Sequence, residues 1–202
     1  MSASALIGID WGTSAARAYR IGADGAVLES RGAALGIQKL AGRDFAGAPK
    51  ELLGPWQADP APRLACGMIG SRQGWREAPY VSCPLSVDAL AAGQVDTEGG
   101  ELTIVPGVTV RDAAGMPDVM RGEETQIVGA IDHEATSVLA VLPGTHSKWA
   151  RVERGRLVDF QTFMTGELHA VLLEHSILGR LAERGTAARD DDHVIEREEV
   201  KI

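Results

Sequence analysis

The residues best suited to chemistry stand near the start of the chain, in a polar turn between two apolar segments. Asp10 ends the first apolar run, and Gly12, Thr13 and Ser14 follow before the second run begins. Glycine lets a ligand approach the backbone, and the amides and hydroxyls of Thr13 and Ser14 can donate to anionic oxygens. A carboxylate beside them can hold Mg²⁺, which takes one or two carboxylates and keeps several waters. The turn predicts a site for a magnesium-bound nucleotide; an ordinary hairpin of the same composition is the alternative.

A similar turn recurs far along the chain. Residues 137–142 form an apolar run, Gly144 and Thr145 follow in a turn, and a strand-like segment resumes at Lys148. This is a weak internal repeat of strand, Gly-Thr turn and strand. Lys148 could neutralise phosphate charge beside the turn, or it could point to solvent from its strand.

A pair of acids supplies a third candidate. Glu123 and Glu124 precede an apolar helical pattern, so a helix is expected to start near Gly122 with both acids in its first turn. One of these carboxylates could accept a proton from a substrate hydroxyl. The alternative is that both acids simply favour the positive end of the helix dipole.

The segments around these residues predict an α/β lobe followed by the start of a second lobe. Three antiparallel strands come first, because the two apolar runs are followed by an Asp24-Gly25 turn. Further elements expected in the first lobe are a helix near 49–54, a buried strand at 63–67, a helix at 86–92 capped by Ser86, and a fifth strand at 101–105. The first lobe is predicted to span 1–133, the second lobe to begin at 134–183, and an acidic, flexible tail to occupy 184–202. A helix from Glu167 is expected to cover the second sheet.

Composition narrows the function classes. The chain has 202 residues, 45% of them hydrophobic, and a net charge of −8. That charge disfavours a nucleic-acid partner, which needs clustered cations. The two cysteines, Cys66 and Cys83, are too few for a disulfide scaffold and are expected to be inert thiols. We expect a cytoplasmic protein with no membrane partner, because the sequence has neither a leader pattern nor an apolar run of spanning length.

The joint order of these motifs resembles a known family. Residues 8–13 with Arg17, followed by residues 142–149, resemble the two phosphate hairpins of the actin, Hsp70 and sugar-kinase superfamily. Within it the chain is most similar to the 2-dehydro-3-deoxygalactonokinase family, with further matching segments at 67–75, 120–126 and 163–167. The resemblance covers roughly residues 4–183. It implies a ribonuclease H-like, actin-like ATPase fold, with a complete first lobe of mixed sheet and helices.

The resemblance implies an activity, cofactors and partners. The family phosphorylates 2-dehydro-3-deoxy-D-galactonate with ATP in galactonate breakdown, so the expected partners are ATP, Mg²⁺ and a sugar acid. A homodimer is the base-rate expectation for a soluble enzyme. Related kinases place the catalytic acid two residues before a glutamine, which selects Glu124 and leaves Glu123 as the competitor.

The resemblance also implies roles for individual residues. Asp10 would hold the metal, and the two Gly-Thr turns would grip the phosphates, with Ser14 and Lys148 beside them. Arg17 would assist at the phosphates or brace the hairpin. The loop after the 63–67 strand would bind substrate, with Arg72 pairing the carboxylate through two parallel hydrogen bonds. Its other candidate substrate residues are Ser71, Gln73 and Trp75.

The chain departs from the family in one respect. Family members continue into a full second lobe that carries the adenosine-binding glycines, and this chain stops soon after that lobe's first helix. The alternative functions are therefore a catalytically impaired, truncated kinase or a remnant that binds sugar or nucleotide without turnover.

Overall fold

A mixed sheet forms the centre of the first part of the chain. The computed structural model describes residues 4–40, 44–131 and 136–181. The strands of this sheet are β1 (Leu6–Trp11), β2 (Ala16–Ile21), β3 (Val27–Ala33), β4 (Arg63–Cys66), β6 (Val95–Asp96) and β7 (Thr103–Ile104). They lie in the order β3-β2-β1-β4-β7-β6. Because β1 pairs antiparallel with β2 and parallel with β4, its carboxyl end lies beside the carboxyl end of β4.

The alternation of side chains along β1 explains why this strand is central. Ile7, Ile9 and Trp11 are all buried, as expected for a strand whose alternate residues face the core. The short helix α1 (Ala48–Leu53) packs its buried leucines into the same core. The three predicted N-terminal strands and this helix are confirmed.

A second, three-stranded sheet was not predicted. It consists of β5 (Tyr80–Ser82), β8 (Gly107–Arg111) and β9 (Pro117–Met120), in the order β5-β8-β9. The prediction of five strands in the first lobe is therefore wrong, since nine precede the helix at Glu123 in the described part of the chain. The extra strands have two to five residues, which is too short for a clear alternating pattern. The helix α2 (Val87–Ala92) is confirmed, with Ser86 Oγ accepting from the amide of Ala89 at 3.3 Å.

The third sheet is antiparallel and packs against the helix that carries the two acids. Its strands are β10 (Ser137–Leu142), β11 (His146–Glu153) and β12 (Arg156–Met164). Its inner face shares a buried apolar cluster with α3 (Glu123–Ala130) and with the second sheet. Residues that share this cluster are Val108, Met120, Ile127, Ala140, Ala150, Val152, Leu157 and Phe160. The predicted strands and the helix start near Gly122 are confirmed.

The last helix, α4 (Gly166–His175), is present but does not cover the third sheet, so that prediction is wrong. No residue of α4 is buried, and Leu168, Val171 and Leu172 stay exposed. The first turn of α4 lies at the end of the sheet, where the amide of Gly166 donates to Gly144 O at 3.2 Å. The outer face of the sheet keeps Trp149 45% exposed.

Two predictions on domain organisation fall where the structure gives no description. The boundary between 133 and 134 and the tail at 184–202 lie outside the described residues. The division into two lobes stays a prediction. Among the helices of the described ranges, none is long and apolar enough to cross a membrane.

Candidate active site

The carboxyl ends of β1 and β4, the start of α3 and the β10–β11 turn surround a cleft of about 550 Å³. The two Gly-Thr turns and the acid pair are far apart in sequence, and the fold places both turns and one of the acids around this single space. The cleft brings together the predicted residues Asp10, Gly12, Thr13, Glu123, Gly144, Thr145 and Lys148.

Asp10 lines the cleft and lies between its strand partners, Arg17 on β2 and Cys66 on β4. Burial, together with the charges of Asp10 and Glu124, raises the pKa of the Cys66 thiol to about 12. The thiol is therefore uncharged near neutral pH, which excludes it as a thiolate nucleophile there. Asp10 is the carboxylate that this side of the cleft can offer to a cation.

The first turn is fixed by hydrogen bonds to its carbonyl oxygens. Gly12 O accepts from the amide of Ile37 at 3.1 Å, and Thr13 O accepts from the amide of Gln38 at 3.2 Å. The negative ends of both carbonyl dipoles therefore point toward residues 37–38. This orientation favours an anion on the cleft side of the turn. Ser14 is exposed and lies outside the cleft lining, as does Arg17.

The second turn repeats this arrangement. Gly144 O accepts from the amide of Gly166 at 3.2 Å, and Thr145 O accepts from the amide of Glu167 at 3.1 Å. His146 Nε2 and Glu167 Oε2 add an exposed contact of 2.6 Å. Each Gly-Thr turn is thus capped by two consecutive amides from a segment further along the chain.

Lys148 is buried, so the alternative in which it points to solvent is wrong. Its Nζ donates to Val119 O at 2.6 Å and to Thr162 Oγ1 at 2.7 Å. Thr162 in turn donates to the carboxylate of Asp118 through both its amide and its hydroxyl. Lys148 therefore ties β9 to β12 while it also lines the cleft.

The two acids at the start of α3 have different surroundings. Glu123 lines the cleft, and its Oε2 accepts from the amide of Arg121 at 3.0 Å. Glu124 is fully buried outside the lining, where it accepts from the amide of Gly122 at 2.7 Å and from Thr125 Oγ1 at 3.1 Å. Burial raises the pKa of Glu124 from 4.5 to about 7. Glu123 is the acid that a bound substrate can reach in this structure.

The predicted substrate loop is not brought into the cleft lining. It folds back on itself, with the amide of Trp75 donating to Ile69 O and the Ser71 hydroxyl donating to Met68 O. The Arg72 side chain is 89% exposed, and its Nε lies 3.7 Å from Glu77 Oε1. Ser71, Arg72, Gln73 and Trp75 all lie outside the residues that line the cleft.

Other residues enter the lining without having been predicted. Tyr80, Arg121 and Gln126 contribute polar or aromatic side chains, and Met68 adds an apolar one. Arg121 precedes the predicted helix start directly, which is the local signal that could have identified it. Tyr80 has no such signal, because it lies on one of the unpredicted short strands.

Comparisons with known proteins identify the family. The sequence model of a family described as 2-keto-3-deoxy-galactonokinase matches residues 10–196; 2-keto and 2-dehydro are two names for the same oxo group. The chain is 44% identical over 186 residues to a Rhizobium meliloti protein named as a probable 2-dehydro-3-deoxygalactonokinase, covering 89% of this chain and 60% of that protein. It is 40% identical over 173 residues to the Escherichia coli 2-dehydro-3-deoxygalactonokinase, covering 86% of this chain and 58% of that protein.

A solved structure gives the same result. A Sinorhizobium meliloti protein assigned to the same kinase superposes with a TM-score of 0.78 at 42% identity. The match covers 86% of this chain and 59% of the other. The chain therefore spans about 60% of the length of the relatives it matches.

Proposed function

The chain belongs to the 2-keto-3-deoxy-galactonokinase family, and on that premise we propose that its cleft serves ATP-dependent phosphorylation of 2-dehydro-3-deoxy-D-galactonate at the 6-hydroxyl. The observation that supports this proposal is the meeting of Asp10, Glu123 and both Gly-Thr turns around one cleft. Phosphoryl transfer depends mainly on positioning and on charge stabilisation, and these groups can supply both.

Mg²⁺ fits the single carboxylate that Asp10 offers to the cleft. The described ranges contain no cluster of three or more His, Cys, Asp or Glu residues suited to a metal. The carboxylate of Asp10 would hold the ion, since Mg²⁺ usually takes only one or two protein carboxylates. When bound, the ion neutralises charge on the phosphates. The turns at Gly12-Thr13 and Gly144-Thr145 hold the phosphates from the two sides of the cleft.

Glu123 acts as the base in this proposal. The 6-hydroxyl oxygen forms a bond to the γ-phosphorus as the bond from that phosphorus to the β,γ-bridging oxygen of ATP breaks. The hydroxyl proton passes to the Glu123 carboxylate. The pKa of Glu124 is better matched to neutral pH. A general base must first lie within hydrogen-bond distance of the substrate hydroxyl, however, and the Glu124 carboxylate is buried outside the cleft lining. We assign Glu124 to positioning, since it accepts from the amide of Gly122 at the helix start.

A coupled assay of ADP release with 2-dehydro-3-deoxygalactonate and MgATP tests the proposal. Asp10→Asn is expected to lower kcat by about 10²–10³-fold, the usual effect of removing one charge-stabilising group. Asp24→Asn, in an exposed turn away from the cleft, is the matched control and should leave the rate unchanged. Wild-type turnover no higher than that of Asp10→Asn would overturn the kinase proposal for this chain.

Binding without turnover is the second candidate function, because Glu124, the acid that the family resemblance selects as the base, is buried outside the cleft lining. Calorimetric titration with ATP distinguishes the two, because a binding remnant gives heat of binding and no ADP. A cytoplasmic location and a homodimer stay predictions, and sedimentation velocity would test the latter.

A further inference from the structure

The Arg121 side chain is held in place without using all its hydrogen-bond donors. Its Nη2 donates to Ala78 O at 2.9 Å, and its guanidinium lies 4.3 Å from the centre of the Tyr80 ring. Gly70 lies against Nη1, since a Cβ on that glycine would stand 2.9 Å from this atom. Nε and Nη1 are buried and have no hydrogen-bond partner.

Unpaired donors on a buried guanidinium require an explanation. Buried polar groups in folded proteins nearly always find a partner, and a charged donor left without one is costly. Arg121 lines the cleft, so an acceptor on a ligand is available in principle. A guanidinium prefers a carboxylate or a phosphate, which it can bind through two parallel hydrogen bonds.

The other cations around the cleft already have protein partners. Lys148 Nζ donates to a backbone carbonyl and to a threonine hydroxyl, and His146 contacts Glu167. Arg72, the sequence candidate for the substrate carboxylate, is exposed and outside the cleft lining. Lys148 thus has one of its three donors left, whereas Arg121 is the cleft-lining cation with two buried nitrogens, Nε and Nη1, that have no partner at all.

The neighbours of the guanidinium indicate which anion it takes. The guanidinium lies against Gly70, Ala78 and Tyr80, which all belong to the segment that follows β4. None of these three residues belongs to either Gly-Thr turn. The phosphates are assigned to those turns. The carboxylate of the acceptor therefore suits Arg121 better than a phosphate of the nucleotide does.

We propose that Arg121 binds the carboxylate of the sugar acid and so determines specificity for an acidic acceptor. This inference rests on the proposed function, because it concerns the acceptor of that reaction. Tyr80, whose side chain is 45% exposed and whose ring lies against the guanidinium, must move for a ligand oxygen to reach the unpaired donors. The amide of Arg121 also donates to Glu123, so the group that binds the acid end of the substrate and the proposed base share one short backbone segment.

Isothermal titration of the full chain with three probes tests the proposal. The probes are 2-dehydro-3-deoxygalactonate, 2-deoxygalactose as a sugar without a carboxylate, and MgATP. Arg121→Gln is expected to weaken binding of the sugar acid by at least about tenfold, the loss typical of a charged hydrogen bond, and to leave MgATP affinity within twofold. It should not alter the weak binding of 2-deoxygalactose.

Further variants keep the test decisive if Arg121→Gln folds poorly. Arg121→Lys keeps the charge without the planar fork and should bind the sugar acid with intermediate affinity. Arg72→Gln tests the rival residue, and Arg76→Gln, on the same loop and exposed, is the matched control. Circular dichroism verifies the fold of each variant.

The outcomes separate this inference from the proposed function. Loss of sugar-acid affinity in Arg121→Gln alone supports the proposal. A loss in Arg72→Gln with Arg121→Gln unchanged overturns it, and so does a loss of MgATP affinity in Arg121→Gln with sugar-acid binding intact. A wild-type chain that binds MgATP but not the sugar acid overturns the proposed function as well.

Discussion

The two Gly-Thr turns are capped in the same way but supported by different surroundings. In each, two consecutive amides from a later segment donate to the carbonyls of the glycine and the threonine. The first cap belongs to the core, since Ile37 is buried and Leu35 O accepts from Trp11 Nε1 at 2.7 Å. The second cap is the start of α4, a helix with no buried residue.

The two turns therefore have the same local geometry but differ in how firmly the surrounding residues hold them. The first turn can move only if core side chains move with it. The second can move with α4, which has few packing contacts to lose. The turns also differ in chemistry: the residue two positions before the glycine is Asp10 in the first and Leu142 in the second. The rigid turn is the one that carries the proposed metal ligand.

The largest effect is expected from adding a methyl group where each cap meets its turn. An alanine Cβ at Gly36 would lie 2.2 Å from the Ser14 carbonyl carbon, and one at Gly166 would lie 2.6 Å from Gly144 O. Gly36→Ala should destabilise the fold by about 3 kcal/mol or more, because the surrounding core cannot yield. Gly166→Ala should cost about 1 kcal/mol or less, since α4 can shift and alanine favours a helix.

Urea unfolding followed by circular dichroism measures both losses. Gly129→Ala is the control, because a Cβ there meets nothing within 4 Å and should stabilise α3 slightly. Equal losses for Gly36→Ala and Gly166→Ala would show that the second turn is as firmly held as the first.

The next effect concerns carboxyl groups near the two turns. Burial raises the pKa of Glu124 from 4.5 to about 7, so the folded protein holds a proton that the unfolded chain releases between these values. Below pH 4.5 Glu124 does not change the free energy of unfolding, because it is protonated in both states. As the pH rises from 4.5 to about 7 the Glu124 contribution lowers the free energy of unfolding, and above about pH 7 that contribution is constant. Glu124→Gln removes this loss and should gain about 3 kcal/mol above pH 7, at 1.36 kcal/mol per pKa unit.

Urea unfolding at pH 4 and pH 8 tests that sign. No gain should be seen at pH 4. Glu167→Gln, beside the second turn, removes an exposed carboxylate and should change stability by less than about 0.5 kcal/mol at either pH. A pH 8 gain for Glu167→Gln as large as that for Glu124→Gln would contradict the assignment of the effect to burial.

The smallest expected loss of stability comes from substituting the tryptophans of the two hairpins, which differ in burial. Trp11 is fully buried and donates to Leu35 O, whereas Trp149 is 45% exposed and contacts Phe163 edge to face. Trp11→Phe leaves the half-buried Leu35 carbonyl without this donor and removes part of a buried ring, so it should cost about 2 kcal/mol. Trp149→Phe should cost no more than about 0.5 kcal/mol. Thermal unfolding followed by circular dichroism distinguishes them, and a larger shift for Trp149→Phe would reverse the comparison.

The hairpins and α3 could be predicted because their signals are local. A Gly-Thr or Asp-Gly turn between alternating apolar runs specifies a hairpin over about ten residues, and Gly122 followed by two acids marks a helix start. The β5-β8-β9 sheet could not be predicted. Its strands are short, and β5 pairs in parallel with β8 across the intervening helix α2, so nothing local specifies the pairing.

The same distinction separates the predicted site residues. Gly12, Thr13, Gly144 and Thr145 do line the cleft. They could be predicted because the backbone geometry of a hairpin turn follows from its local sequence. The substrate loop at residues 71–75 does not line the cleft, since hydrogen bonds to neighbouring residues 68–71 fold it back on itself. Whether Arg72 or Arg121 faces a ligand depends on that tertiary fold.

Two glycines that line the cleft lie against each other. Gly67 and Gly122 both have positive φ, and a Cβ on Gly122 would lie 3.2 Å from the Gly67 Cα. This part of the cleft wall is therefore bare main chain. Redesign of acceptor preference can exchange side chains elsewhere around the cleft, but here the chain path itself fixes the shape of the wall. A side chain at Gly67 would meet Trp11 O at 2.8 Å, and the positive φ at both positions disfavours any residue other than glycine, so this stretch of wall should stay the same in altered variants.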